Sequence, residues 1–144
     1  MTQDKIICPV CERGQLIFKK GPSSYCYKGH HFKLEDIEYC ECLACQYEII
    51  LPEQSKRNEA LIRDEQRKID GLFTAAEITK LRERLKMTQQ QAAQLFGEQV
   101  NTFSKYESGE ATQSRAMDKL MKLALNVPHC VEELRQMANV QVSA

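Results

Sequence analysis

Met87-Thr88-Gln89-Gln90-Gln91-Ala92-Ala93-Gln94-Leu95-Phe96-Gly97, followed after three residues by Asn101-Thr102-Phe103-Ser104-Lys105-Tyr106-Glu107-Ser108-Gly109, is the stretch on which the fold turns. Thr88 with Gln91 three positions later is a capping box: the hydroxyl accepts a free N–H of the first turn, and the amide reaches back to the cap. Ala92, Leu95 and Phe96 supply the apolar side of this helix, and Gly97 ends it. Val100, Phe103 and Tyr106 are expected on the buried side of a second short helix, closed by Gly109. Two short helices split by a tight glycine turn predict a helix-turn-helix.

Further helices flank this pair. Thr74 can cap a helix whose Ile78, Leu81 and Leu85 fall on one face. Met117, Leu120, Met121 and Leu123 to Leu125 mark a helix after the pair, and Val131, Leu134, Met137 and Ala138 mark another beyond Pro128. The region from 74 to 144 is therefore expected to be an all-α, five-helix domain. Its residues Thr88, Gln89, Ala92, Gly97, Ser104, Tyr106, Glu107 and Gly109 resemble the hallmark of the Xre family of phage-repressor-like helix-turn-helix domains. That resemblance implies binding to double-stranded DNA.

Asn101 and Lys105 are four residues apart and so share the outward face of the second helix near its start. An Asn amide can bond an adenine edge in two places, and a Lys can donate to guanine acceptors or to phosphate. Thr102 and Ser104 are candidates for phosphate or flanking contacts. Gln89 resembles the family's backbone-phosphate contact at the start of the preceding helix. In the family pattern Arg82, seven residues before that Gln, pairs with Glu107; the pair is expected to be partly buried, structural, and away from the bases.

At the other end of the chain stand Cys8-Pro9-Val10-Cys11 and Cys42-Leu43-Ala44-Cys45. Each places two thiolates on one tight turn, and two such turns can enclose one metal ion in four sulfurs, the closed shell of structural zinc. Iron in a rubredoxin-like site uses the same donors, so spacing leaves the metal open. A closed shell has no position for metal-assisted hydrolysis. Cys40 lies close to Cys42, but only Cys42 and Cys45 keep the two-residue spacing of a chelating turn. His30 and His31 are adjacent, and neighbours on a strand point to opposite faces; they are expected on the surface. Cys26, Cys40 and Cys130 are left over.

Between the cysteine turns the sequence reads as a small β meander: Leu16-Ile17-Phe18, a turn at Gly21-Pro22-Ser23-Ser24, Tyr25-Cys26-Tyr27, an alternating stretch from His31 to Ile37, and Tyr47 to Leu51 before Pro52. Residues 53–73 hold five basic and five acidic side chains and few apolar ones. They are expected to form a solvated linker helix, interrupted near Gly71.

The chain of 144 residues carries 20 basic and 20 acidic side chains, so net charge argues neither for nor against nucleic acid. Residues 74–127 are mildly basic, with eight Lys/Arg against six Asp/Glu. No apolar run could span a membrane, and the first residues lack the apolar core of a secretion signal. A cytoplasmic location is expected, where disulfides are rare. No Ser/His/Asp grouping or phosphate loop suggests an enzyme.

The order of parts, residues 1–52 as a zinc-binding β-rich domain, 53–73 as a charged helical linker and 74–144 as the helix-turn-helix domain, gives an α+β fold class. It resembles the MqsA family of type II antitoxins, which carry a YgiT-like zinc finger and an Xre domain. The resemblance rests on Cys8-Pro9-Val10-Cys11, the second cysteine pair and the run from Val100 to Gly109. It implies a zinc-bound arm, with ligands Cys8, Cys11, Cys42 and Cys45, that neutralises a small ribonuclease toxin. It also implies a homodimer that represses its operon at a palindromic operator, with Asn101 reading bases. The second base-reading residue is usually Arg and here is Lys105, which lacks the planar fork for guanine. Two alternatives belong to this reading: a solitary, prophage-like zinc-containing regulator with no toxin, and a thiolate redox or metal sensor built on the spare cysteines. Val131, Leu134 and Met137 either form a dimer surface or close the monomer core.

Overall fold

The computed structural model describes residues 5–138. Residues 1–4, the start of the stretch read for a secretion signal, and 139–144, the end of the expected C-terminal domain, lie outside the described residues. The chain divides into two compact units, one through Ile62 and one from Arg63 onward. The architecture is α+β, a three-stranded sheet with the cysteine turns followed by helices.

In the first unit, strands β1 (Leu16–Tyr27), β2 (His30–Cys42) and β3 (Glu48–Ile49) form an antiparallel sheet in the order β1-β2-β3. The expected turn at Gly21-Pro22-Ser23-Ser24 does not exist. β1 runs straight through it, with the pairing register shifting between Gly21 and Ser23. Pro22 has no N–H to give the ladder, and a bulge is where a strand tolerates that. The chain reverses instead at Lys28-Gly29, between the paired Tyr27 and His30. Both turn residues have positive φ, 49° and 79°, the geometry that matches the twist of a two-residue hairpin. Beyond the bulge the hairpin is held by cross-strand pairs such as Tyr25 stacked on Phe32 at 5.6 Å. At its base Cys8, Leu16, Cys40 and Cys42 pack into a buried cluster.

Helix α1 (Pro52–Asp70) starts on a proline, which costs nothing at a first helical position. It is not the solvated rod that its charge suggests: Gln54, Asn58 and Arg67 are buried. In the first unit, Asn58 takes the N–H of Glu38 at 2.8 Å and donates to its carbonyl at 2.9 Å. β3 pairs with β2 only at Cys40 and Glu41, so this amide stands in for a strand at the next edge position. Gln54 accepts the N–H of Leu51 at 2.9 Å and donates to Cys40 Sγ at 3.3 Å.

The second unit comprises the last turns of α1 with α2 (Ala75–Arg84), α3 (Gln89–Leu95), α4 (Thr102–Ser108), α5 (Arg115–Asn126) and α6 (Cys130–Met137). α1 stops before Gly71, whose φ is 74°. Capping boxes open α2 at Thr74 with Glu77 and α3 at Thr88 with Gln91. The core joins Ile78, Leu81, Ala92, Leu95, Phe96, Phe103, Tyr106, Met121, Ala124 and Leu134. Val100, expected inside, is 61% exposed because it precedes α4 and escapes its periodicity. Met137 is also outward, at 78%.

A buried polar set completes this unit. Asp118 accepts the N–H of Phe73 at 2.7 Å and of Gln113 at 3.1 Å, and pairs with Lys122 at 2.6 Å. Burial opposes its ionisation, but the ammonium and the N–H donors outweigh it and hold the carboxyl below its ordinary range. Its stabilising contribution is therefore present above the usual carboxylate pKa and is lost as the pH falls through the depressed one.

Candidate functional site

Two places in the fold gather chemistry. At the base of the sheet, the sulfurs of Cys8, Cys11, Cys42 and Cys45 all lie within 4.8 Å of one another. Cys8 Sγ is 3.7 Å from Cys45 Sγ, and Cys11 Sγ is 3.5 Å from Cys42 Sγ. A disulfide needs about 2.05 Å, whereas four sulfurs about 2.3 Å from a central zinc stand about 3.8 Å apart. The turns fold as they do because backbone N–H groups close onto the sulfurs. Val10 N donates to Cys8 Sγ at 3.4 Å, Gly14 N to Cys11 Sγ at 3.3 Å, and Ala44 and Cys45 N to Cys42 Sγ at 3.3 and 3.4 Å. Cys40 is not in the cluster; its thiol is buried against Gln54. Among the described residues this is the one grouping of Cys, His and carboxylates with metal-ligand geometry, and His30 and His31 lie on β2 outside it.

The second place is α4. Phe103 is fully buried, stacked on Phe96 at 5.6 Å and edge-on to Tyr106 at 5.6 Å. The opposite face is open: Asn101, Ser104 and Lys105 are exposed and Thr102 half-buried. Asn101 occupies the N-cap position yet makes no capping hydrogen bond with its side chain, while Ser104 Oγ donates to its carbonyl at 3.0 Å. Gln89 opens α3, half-buried. Arg82 and Glu107 form a bidentate pair, with Nε to Oε2 and Nη2 to Oε1 both 2.9 Å. Thr79 Oγ1 adds a bond to Glu107 at 2.9 Å. This pair joins α2 to α4, on residues apart from the exposed set.

A family model described as the antitoxin component of a bacterial toxin-antitoxin system, MqsA, matches residues 6–135. The chain belongs to the MqsA antitoxin family. Antitoxin MqsA of Escherichia coli (strain K12) is 30% identical over 129 residues, spanning 89% of this chain and 98% of that protein. A solved structure of the N-terminal domain of the E. coli protein MqsA covers 46% of this chain and 98% of its own, at 23% identity and a TM-score of 0.34. As a member of the MqsA family the protein is an antitoxin and not an enzyme.

The cysteine site of this MqsA-family chain fits a divalent metal on its donor chemistry. N–H groups of Arg13 and Gly14 hold the Cys11 thiol down to about 6, and those of Cys45 and Ala44 lower Cys42. Cys45 behaves oppositely. The N–H of Tyr47 favours its thiolate, but partial desolvation and the hydrogen-bonded sulfurs of Cys42, Cys11 and Cys8 prevail and push this exposed thiol up to about 12. Four thiolates this close repel one another, and a cation at their centre removes the conflict. Such a centre is a closed, four-sulfur shell able to bind a metal, consistent with zinc.

Gly14 is a member of this site that cysteine spacing does not mark. A Cβ there would stand 2.3 Å from Cys42 Sγ and 2.8 Å from the Cβ of Ala44. Its signal is steric, visible only once the second cysteine turn is in place. Gly14→Ala is expected to weaken metal binding by at least about tenfold, as displaced ligand surroundings do elsewhere. Chelator competition would measure it, with Gly21→Ala as the control, since a Cβ there meets only the Tyr39 ring, no nearer than 3.4 Å. Equal affinities for the two variants would refute the steric reading.

Proposed function

We propose that this MqsA-family antitoxin is a sequence-specific repressor that binds a palindromic operator as a homodimer, and that its zinc-bound N-terminal arm neutralises a small ribonuclease toxin. The observation that carries the DNA-reading half is the division of α4 into a buried face, Phe103 and Tyr106, and an exposed one bearing Asn101 and Lys105. A helix presented this way can lay polar side chains along base edges in a major groove. Asn101 is assigned the base contact, Lys105 a guanine or phosphate contact, and Thr102, Ser104 and Gln89 backbone contacts. Arg82 and Glu107 brace α4 and touch no base.

A homodimer would place two copies of α4 about 34 Å apart, one turn of duplex. Leu134 closes the monomer core, which leaves Met137 as the exposed apolar residue of α6 available to a subunit contact. In this reading residues 1–52 are the zinc arm, 53–73 the linker and 74–144 the DNA-reading domain, in a cytoplasmic protein. Membership of an antitoxin family supports a toxin partner. Rescue of cells from the product of a neighbouring reading frame tests it, and a chain that rescues none would be a solitary regulator.

Asn101→Ala is the direct test of the DNA half. It is expected to cost about 1–3 kcal/mol on the operator and to leave non-specific binding unchanged. Titrations of the operator and of a scrambled duplex at one fixed salt concentration would separate the two. Equal weakening on both would show that Asn101 contacts the backbone and reads no base.

A further inference from the structure

The end of α4 remote from Asn101 is held by two arginines of α1. The last carbonyls of any helix lack partners within it. Here Arg67 Nη2 donates to the carbonyl of Tyr106 at 3.1 Å and of Ala111 at 2.7 Å. Arg63 Nη1 donates to the carbonyl of Gly109, the C-cap of α4. Arg67 is fully buried, with Nε on Gln113 Oε1 at 3.1 Å and Nη1 on Asp64 Oδ1 at 3.0 Å. Two cations therefore stand at the negative end of the α4 dipole.

Terminating the helix does not require them. Gly109, at φ 81°, already returns its N–H to the carbonyls of Lys105 and Tyr106. A buried guanidinium is also a costly way to fill space that an apolar side chain would fill without desolvation. What the fork supplies, and a methyl group cannot, is direction: several rigid donors on carbonyls of known orientation fix where the helix axis points. Thr79 and Arg82 hold Glu107 from α2 at the same end. The C-terminal half of α4 is tied on two sides, and its N-terminal residues are the exposed end.

We propose that Arg63 and Arg67 are positioning residues for operator reading, fixing the direction of α4 so that Asn101 and Lys105 meet the bases in one register. This rests on the DNA-reading function proposed above. The test uses the full chain with Arg63→Ala, Arg63→Lys and Arg67→Lys. The probes are a duplex of the DNA directly upstream of its own reading frame and a scrambled duplex of equal composition. Stability is followed by denaturation of the helical signal. Arg63→Ala is expected to weaken upstream-duplex binding on the order of tenfold, the effect of one lost base contact, with scrambled-duplex binding and the denaturation midpoint unchanged. Arg63→Lys, which keeps a donor and the charge, should restore most of the preference. Arg67→Lys should lose it, because a single ammonium cannot span both carbonyls. A wild-type preference that survives Arg63→Ala and Arg67→Lys intact would overturn the positioning role. So would a loss on both duplexes in step with a falling midpoint. A wild-type chain with no preference would remove the DNA-reading proposal itself and this one with it, a result distinct from the other two.

Discussion

Cys42→Ser is expected to unfold the sheet of the first unit and to leave the helices of the second unit folded, with the DNA binding proposed for them intact. Cys42 is buried, is 3.5 Å from Cys11 Sγ, and accepts N–H groups from Ala44 and Cys45, so a serine removes a ligand and the organising atom of its turn. Without metal the unit has little to fold on. Its buried cluster is Cys8, Leu16, Cys40 and Cys42, so three of the four are themselves cysteines and two are ligands. Structural zinc contributes about 10–16 kcal/mol of apparent binding free energy in small domains, against about 5–15 kcal/mol of net stability in whole ones. Metal analysis should fall below one zinc per chain, and amide protection should vanish between residues 15 and 49 while persisting through α2 to α5. Cys26→Ser, at an exposed position, is the control. Retained zinc with a protected sheet would sink the prediction, and simultaneous loss of DNA binding would contradict units that fold independently.

The two ends of the chain were legible for different reasons. The clustering of four cysteines was legible from spacing, because a chelating turn needs two intervening residues; that rule sets Cys42 and Cys45 apart from Cys40, and the four sulfurs it selects do come together. The helices from Thr74 to Met137 were legible because caps and apolar periodicity agree along them. The Arg82–Glu107 pair was legible only through the family pattern. What escaped has a common cause. Periodicity tracks apolar residues, so it has no means of registering polar side chains buried by hydrogen bonds, and Gln54, Asn58 and Arg67 made α1 look solvated. Gly21-Pro22 carries the composition of a turn, but a bulge asks for the same residues, and the choice was made by the distant pairing of β1 with β2. Lys28-Gly29 was passed over because a lysine with positive φ gives little local warning.

Phe103→Ala should produce the reverse pattern of Cys42→Ser. Phe103 is fully buried and lies between Phe96 and Tyr106, each ring 5.6 Å away. Truncating a buried phenylalanine costs about 3–5 kcal/mol, from lost transfer free energy and the cavity left behind. The aromatic pairs add about 0.5–1.5 kcal/mol each. A unit of this size has little stability to spare. α4 contributes only Phe103 and Tyr106 to the core, so losing one of the two frees the helix that presents Asn101 and Lys105. On the proposed DNA-reading function, specific and non-specific binding should therefore fall together. Asn101→Ala differs, since it should lower only the first. Zinc content and sheet protection should stay at wild-type levels. Phe103→Leu, which keeps much of the volume, should cost less than about 1.5 kcal/mol if the site can repack. Denaturant titration of the helical signal measures both variants. A midpoint for Phe103→Ala within error of wild type would mean that α4 is not anchored through this ring.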